Sequence, residues 1–451
     1  PLRKNCSLAG KRGSVMAEQM KPSGIDWIGD IPESWKAKPL KYLAKCNQDV
    51  LLETTAPDYS FRYVDIGSVT YERGITEYQE LRFEDSPSRA RRRVSVGDTI
   101  ISTVRTYLKA IAIISDSENV IVSTGFAVYT PDKAIYPQYL YYFCKSEGFV
   151  QEIDKNSYGI AYPAINTDLL SRICIVYPCY EEQQVIADFL DKECAQIDSI
   201  AADLEKQIAL LQQYKKSLIT ETVTKGLNKS VPMKDSGIEG VGKIPSHWKV
   251  NRLKYAAVVK TGPFGTQLSA SEYSDEGIPV INVKNIGYGT IIEDDLDYVP
   301  DEVCQRLAQH QLQLGDIVFG RKGAVDKHAI ITESQIGWVQ GSDCIRVRID
   351  GDIDSRYLNY LFDTVYFAEY VLLYAVGTTM ASINSDILTN SKILVPPITE
   401  QRCIADFLDS NCKTLFEIIE NKQSQLATLQ QHKKSLIYEY VTGKKRVKEV
   451  Q

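Results

Sequence analysis

Four arginines stand within five positions, Arg89, Arg91, Arg92 and Arg93, just ahead of a Gly97-Asp98 turn. A guanidinium is a permanent charge with a planar fork of donors, so this density points to phosphate neutralisation. Arg105, Thr106, Tyr107 and Lys109 follow, and Ser157, Tyr158 and Gly159 form a small polar loop. Such a loop can bring backbone amides close to a phosphate. The second half of the chain offers Lys260, Thr261, Gly262 and Gln267, then Lys284 and Asn285, then Arg321, Lys322 and Lys327, and finally Thr378 and Thr379. Arg, Lys, Asn, Gln and small hydroxyls are the side chains that read base edges. The chemistry these residues support is recognition of a nucleic acid; the alternatives are a solvated charged loop at 89–93 and a turn before a core strand at 157–159.

Bond-making chemistry finds less support. Gly315–Lys322 resembles a nucleotide loop only superficially, because Gly320 is followed by Arg321-Lys322-Gly323 and not by Lys with Ser or Thr. A basic β-turn is the better reading. No Asn/Asp-Pro-Pro-Tyr/Phe motif occurs, and Val395-Pro396-Pro397-Ile398 reads as the lead into a helix. No glycine-rich methyl-donor loop follows a strand, and no carboxylate set suits a metal nuclease. The four histidines, at 247, 310, 328 and 432, form no ligand cluster. No metal site is expected. Ten cysteines without a CxxC pair fit a reducing compartment, so a cytoplasmic location is expected. The net charge of −6 argues against a wholesale nucleic-acid coating but permits local basic patches. No apolar run approaches a membrane span. The basic first twenty residues lack the apolar core of a signal peptide, and those before Met16 read as a remnant outside the pattern.

The elements that must position these residues repeat. Glu182-Gln183 and Ile186-Ala187-Asp188-Phe189-Leu190-Asp191 return as Glu400-Gln401 and Ile404-Ala405-Asp406-Phe407-Leu408-Asp409, a constant offset of 218 positions. Gln212-Gln213-Tyr214-Lys215-Lys216-Ser217-Leu218-Ile219 returns as Gln430-Gln431-His432-Lys433-Lys434-Ser435-Leu436-Ile437 at the same offset. Leu190, Ile197, Leu204, Leu211 and Leu218 fall on every seventh position, with Ile186, Ile200 and Ile208 widening the stripe. Leu408, Leu415, Leu429 and Leu436 echo them, Ile404, Ile418, Ile419 and Leu426 fill out the second stripe, and Lys422 interrupts its seam. A period near 3.5 predicts two coiled-coil helices, each about 60 Å long, that bury their stripes against one another. Lys422 is expected at the seam edge. The segments Gly24–Lys36 and Gly237–Lys249 share a Gly-Ile-x-x-x-Gly-x-Ile-Pro-x-x-Trp pattern and read as docking segments, with Trp35 and Trp248 as buried anchors.

Between opener and helix, each half predicts an α+β domain on a curved, mostly antiparallel sheet. Strands are expected at 99–103, 120–124, 317–319 and 344–349, and helices at 138–153 and 357–373. Gly97-Asp98 and Gly315-Asp316, Tyr139-Leu140 and Tyr357-Leu358, and Ile165-Asn166 and Ile383-Asn384 match, while the text between them diverges.

In this order and repetition the chain resembles the specificity subunit of a type I restriction–modification enzyme. The resemblance rests on the openers, the Gly-Asp turns, the Glu-Gln-x-x-Ile-Ala-x-Phe-Leu-Asp helix starts and the Gln-x-x-Lys-x-Ser-Leu-Ile endings. It implies two pseudo-symmetric target-recognition domains separated by two long antiparallel helices. The domains then occupy 21–180 and 237–398, and the helices 181–225 and 399–443. An extension at 1–20, expected to lack order, a linker at 226–236 and a basic tail at 444–451 complete the division. It further implies double-stranded DNA with a bipartite target, two adenine methyltransferase subunits, and restriction and translocase subunits as partners. The chain itself would be non-catalytic and without a cofactor, with S-adenosylmethionine, ATP and Mg held by those partners. The rival reading is a coiled-coil scaffold with two adaptor domains and no DNA role.

Overall fold

The structure, a computed structural model, describes residues 19–377 and 381–447. Thr378, Thr379 and nearly all of the expected N-terminal extension lie outside the described residues. The chain forms two compact units, one holding the residues up to Asp203 and those from Gln425 onward, the other Leu204–Ser424.

In the first unit the strands of the two larger sheets are Ala44–Cys46 (β1), Ser60–Val64 (β2), Gln79–Arg82 (β3), Ala90–Arg93 (β4), Thr99–Ser102 (β5), Ile111–Ile113 (β6), Val120–Ser123 (β7) and Phe126–Pro131 (β8). One sheet runs β6-β5-β8-β1, and a second runs β3-β2-β7-β4. The first is antiparallel throughout, whereas β7 lies parallel to β2 in the second. In the second unit the strands of the two larger sheets are Ala257–Thr261 (β9), Ile278–Ile281 (β10), Tyr288–Gly289 (β11), Asp297–Val299 (β12), Ile317–Gly320 (β13), His328–Ile330 (β14), Val339–Gln340 (β15) and Cys344–Ile349 (β16). They form a sheet of order β9-β16-β13-β14-β11 and a smaller one of order β12-β10-β15. The pairs β11·β14 and β10·β15 are parallel. The mostly antiparallel sheet expected for each half is thus divided into two sheets, whose pairs are mostly antiparallel with a few parallel ones. Parallel neighbours need long crossovers and not hairpins, and the divergent text between the landmarks supplies them.

The apolar runs on β5, β7, β8, β13 and β16 are buried along most of their length, which is why they read as continuous and not alternating. Each expected helix is broken into two. The first becomes Pro137–Lys145 and Glu147–Lys155, the second Ser355–Phe362 and Val365–Tyr374. The break falls at Ser146 and Thr364, repeat-related positions that adopt extended backbone (ψ 142° and 148°). Their hydroxyls donate to the Phe143 and Leu361 carbonyls, each at 2.6 Å. A hydroxyl that bonds back to the preceding turn offers the chain an exit from the helix.

The two long helices are Tyr180–Lys225 and Ile398–Val441. In the first unit Leu190 and Ile197 share a core with Leu436, Ile437 and Val441, and Lys433 pairs with Asp198 at 2.6 Å. In the second unit Ile219 and Val223 share a core with Ile404, Ala405 and Leu408, and Lys422 reaches Gln207 at 2.6 Å. Early residues of one helix meet late residues of the other in both units, so the pairing is antiparallel. Lys422 is half-buried and directs its ammonium to that amide, as a seam-edge lysine would. Leu204 and Leu415 are also buried, and Leu211, Leu218 and Leu429 are half-buried. Ile200 and Ile418 depart from expectation and are exposed at 50% and 39%, because a contact between two helices covers only a narrow seam.

The repeated letters become repeated bonds. The buried Gln183 amide accepts from Tyr136 N–H and donates to the Ala134 and Pro178 carbonyls. Gln401 does the same with Asp354 N–H and the Asp352 and Pro396 carbonyls. Tyr142 and Gln138 donate to Asp191, as Tyr360 and Arg356 do to Asp409. Trp35 and Trp248 are fully buried at the openers. The expected linker contributes Met233–Asp235, which pairs with Lys243–Pro245 just as Met20–Pro22 pairs with Asp30–Pro32. In the first unit the expected basic tail begins docked, with Lys444 donating to the Asp30 carbonyl at 2.6 Å and Arg446 over the Trp35 ring and paired with Glu182.

Candidate nucleic-acid interface

Two loops carry the clearest candidates in the first unit, and the structure brings them together. The loop after β5 holds Arg105, Thr106, Tyr107 and Lys109. The loop after Glu147–Lys155 holds Ser157, Tyr158 and Gly159. Val104 and Tyr158 both bridge to Ala164. Tyr158 and Ala164 exchange both backbone bonds at 2.9 Å, Ile165 N–H donates to the Thr103 carbonyl at 2.8 Å, and Thr106 N–H donates to the Pro163 carbonyl at 3.3 Å. Arg105 and Lys109 both adopt left-handed backbone, with φ of 52° and 49°. Non-glycine residues rarely do so, and such positions concentrate at binding sites. The Arg105 guanidinium lies 5.5 Å from the centre of the Tyr162 ring. Thr106 is buried, Lys109 half-buried, and Arg105, Tyr107 and Tyr158 exposed. Sequence reasoning missed Ile160 and Tyr162, both exposed on the same hairpin. Their signal was an apolar pair inside a Gly- and Pro-flanked turn.

The same construction recurs in the second unit at the 218-residue offset. Lys322 and Val376 both bridge to Ser382, and Ile383 N–H donates to the Arg321 carbonyl at 2.9 Å. Gly323, with φ of 79°, stands where Arg105 stands in the first unit, and Gly377 (117°) matches Gly159 (103°). Lys322 is exposed and pairs with Asp343 at 3.1 Å. Lys327 is half-buried, 5.5 Å from the centre of the exposed Tyr288 ring. The Gly-Asp turn that launches each loop strand is closed by its carboxylate. Asp98 accepts from Ser95 N–H at 2.7 Å and Asp316 from Gln313 N–H at 2.8 Å. Burial raises the Asp98 carboxyl above its ordinary range. Arg348 braces Asp316 through two bonds, at 2.6 and 2.7 Å.

Other candidates are dispersed. The four-arginine cluster lies on and before β4, the edge of its sheet, and the pairing with β7 skips Arg91, a bulge that breaks the strand's alternation. Arg89 and Arg93 are exposed and Arg92 half-buried. Arg91 pairs with Glu53 at 3.3 Å and lies over the Phe83 ring. In the second unit Lys260 donates to Gln309 at 2.8 Å, and Thr261 is half-buried in β9. Gly262 serves packing, since a Cβ there would stand 1.9 Å from the Gly341 carbonyl oxygen. Gln267 is exposed, and its carbonyl is held by Arg306. Arg306 also pairs with Glu272, whose carboxyl falls to about 2 because it accepts the Ser269 N–H and faces that guanidinium. Lys284 is answered by Asp295 and Asp297, at 2.9 and 3.2 Å. Asn285 is fully buried and its amide closes its own loop, donating to the Ile292 and Asp294 carbonyls. Its burial leaves no edge to offer a base.

Among the described residues no group of three or more His, Cys, Asp or Glu could hold a metal ion, and no helix is long and apolar enough to cross a membrane. The family described as "Type I restriction modification DNA specificity domain" matches residues 32–210 and 245–428. The chain belongs to that family. It is a non-catalytic DNA-specificity chain, with catalytic activity residing in partner subunits. Among its relatives, the type I restriction enzyme MjaVIII specificity subunit of Methanocaldococcus jannaschii is 27% identical over 341 residues, 73% of this chain and 75% of the relative. The MjaIX specificity subunit of the same organism is 24% identical over 446 residues, 94% of this chain and 96% of that one. A chain solved in work on complex assembly and conformational transition of the type I R-M system shares the fold. Its TM-score is 0.67 at 20% identity, covering 91% of this chain and 98% of that one.

Proposed function

We propose that each domain of this specificity chain reads one block of a bipartite double-stranded DNA target, and that two copies of one adenine methyltransferase subunit dock on the repeated framework. The carrying observation is the paired loop construction, present in both units with the same bridges and the same left-handed turn but different side chains. A repeated scaffold with diverged tips suits two readers of different sequence. In the first domain the reading surface is Arg105, Tyr107, Lys109 and Ser157–Gly159, with Arg89 and Arg93 placed for phosphate. In the second it is Arg321, Lys322 and Lys327, to which the sequence adds Gly377, Thr378 and Thr379, with Lys260 and Gln267 as separate contacts. Ile200 and Ile418, exposed at repeat-related positions of the long helices, support two near-equivalent docking surfaces. Restriction and translocase subunits join through the methyltransferase, and the complex works in the cytoplasm. S-adenosylmethionine, ATP and Mg belong to the partners.

Methylation-site mapping of the reconstituted complex tests this reading. Arg105→Ala should alter one block, and Lys322→Ala the other. A base-contacting residue should cost about 1–3 kcal/mol and relax one position, while a phosphate contact should weaken all sequences and lower the salt slope by about one. A continuous native target, or loop changes in one domain that alter both blocks, would overturn the two-reader arrangement. A one-to-one mass at saturating methyltransferase would overturn the two docking surfaces.

A further inference from the structure

The hairpin from Tyr158 to Ala164 ends in an aliphatic side chain with nothing around it. Ile160 is exposed at 105% of its reference area, and Tyr158 and Tyr162 beside it at 64% and 68%. Exposed apolar groups are commonplace singly, but here three stand on one short hairpin, and the exposed Val104 bridges to Ala164 at its base. The base of the hairpin is firmly held. Tyr158 and Ala164 exchange two bonds, and Ile165 and Thr106 tie the hairpin to the adjoining loop. A Cβ on Gly159 would approach the Tyr162 carbonyl to 3.1 Å, so the turn is tight. The hairpin and the loop beside it carry only cations, while Glu72 and Glu147 of neighbouring segments line one depression with Tyr107, Leu108 and Lys109. Residues 99–114 and 155–167 contain Arg105, Lys109 and Lys155 and no Asp or Glu. An apolar tip on a braced stem, with two tyrosines beside it and the Arg105 guanidinium over one of them, complements stacked bases behind a phosphate wall.

We propose that Ile160 is a wedge that enters a base step within the DNA block read by the first domain, with Tyr158 and Tyr162 covering the bases it parts. This rests on the DNA-reading assignment above and adds a specificity mechanism to it. Apolar side chains inserted between base pairs unstack one step and kink the duplex. Pyrimidine–purine steps part most readily, so the first block contains a TA or CA/TG step at the wedge position. At the 218-residue offset the second domain has the polar Thr378 in place of Ile160.

The test uses the full chain assembled with its methyltransferase partner. 2-Aminopurine is placed in turn along the first block of the mapped target. The unaltered complex should brighten one step, and Ile160→Ser should abolish most of that signal and weaken duplex binding about tenfold. Ile160→Leu should retain both. A duplex carrying a mismatch at that step is already unstacked, so it should bind the unaltered and Ile160→Ser complexes alike. Equal signals and affinities for Ile160→Ser and the unaltered complex would overturn the wedge while leaving DNA reading intact. Failure of Ile160→Ser to assemble with the methyltransferase would overturn it in favour of a protein contact. If the unaltered complex showed no preference for any duplex, the DNA-reading assignment would fall first.

Discussion

The two openers solve one packing problem in opposite ways. In the first unit Trp27 lies across Gly148, where an added Cβ would stand 2.0 Å from the indole, and its ring meets Phe143 and Tyr438. In the second unit the matching positions are exchanged. Gly240 replaces the tryptophan, and Tyr366, buried at 6% exposure, replaces the glycine. A Cβ on Gly240 would meet the Tyr366 Cβ at 3.5 Å. The exchange is incomplete in volume, and a cleft of about 810 Å³ beside Gly240 is lined by Phe367, Tyr370 and Leu373. Bonds that define the framework are kept, whereas packing partners drift in compensating pairs and the exposed tips diverge freely. A hydrogen bond demands one donor and one acceptor in place, but a packed volume can be filled from either side.

Trp27→Ala breaks this comparison most severely, lowering unfolding free energy by about 3–5 kcal/mol in denaturant titrations. The exchange itself can be rebuilt. Gly148→Tyr alone should destabilise, and Trp27→Gly should rescue it, with a coupling of about 1–3 kcal/mol in a double-mutant cycle. Additive losses would refute the compensation. Along the long helices, Leu204→Ala should cost about 2–3 kcal/mol, at the low end for leucine because the contact is a narrow seam. Ile200→Ala should cost less than about 0.5 kcal/mol, as exposed positions do. Gln183→Ala and Gln401→Ala should each cost about 1–3 kcal/mol through orphaned backbone groups. The two losses should agree closely, since their bonds repeat, and clearly unequal melting shifts would contradict an equivalent framework. The left-handed turns also give small effects. Gly323→Ala should lower stability by about 1 kcal/mol through φ strain, while Arg105→Gly should raise it by less than about 1 kcal/mol and weaken DNA binding. Thermal melts paired with binding assays read both.

Much of the framework was legible because repetition and heptad spacing report on local chemistry. Gln183 and Gln401 stood out as letters at a fixed offset, and the helices followed from leucine at every seventh position. Sheet pairing was not legible. Whether β7 lies parallel to β2 depends on contacts far apart in sequence, which no period within one strand encodes. The interface was legible in residue type and not in grouping. Four neighbouring arginines looked like one patch, yet Arg91 is taken up by Glu53 and the Phe83 ring and Arg92 is half-buried, which leaves Arg89 and Arg93 exposed. Arg105 and Tyr158 lie 53 positions apart in the sequence, and their loops meet because Ala164 bridges both. Asn285 looked like a base reader, and only the closed loop showed that its amide was spent. The sequence by itself therefore determined the duplicated scaffold, the antiparallel helices and the family. Tertiary structure decided which cations and tyrosines share a surface, because side-chain proximity across a sheet or between loops is set by long-range register and burial.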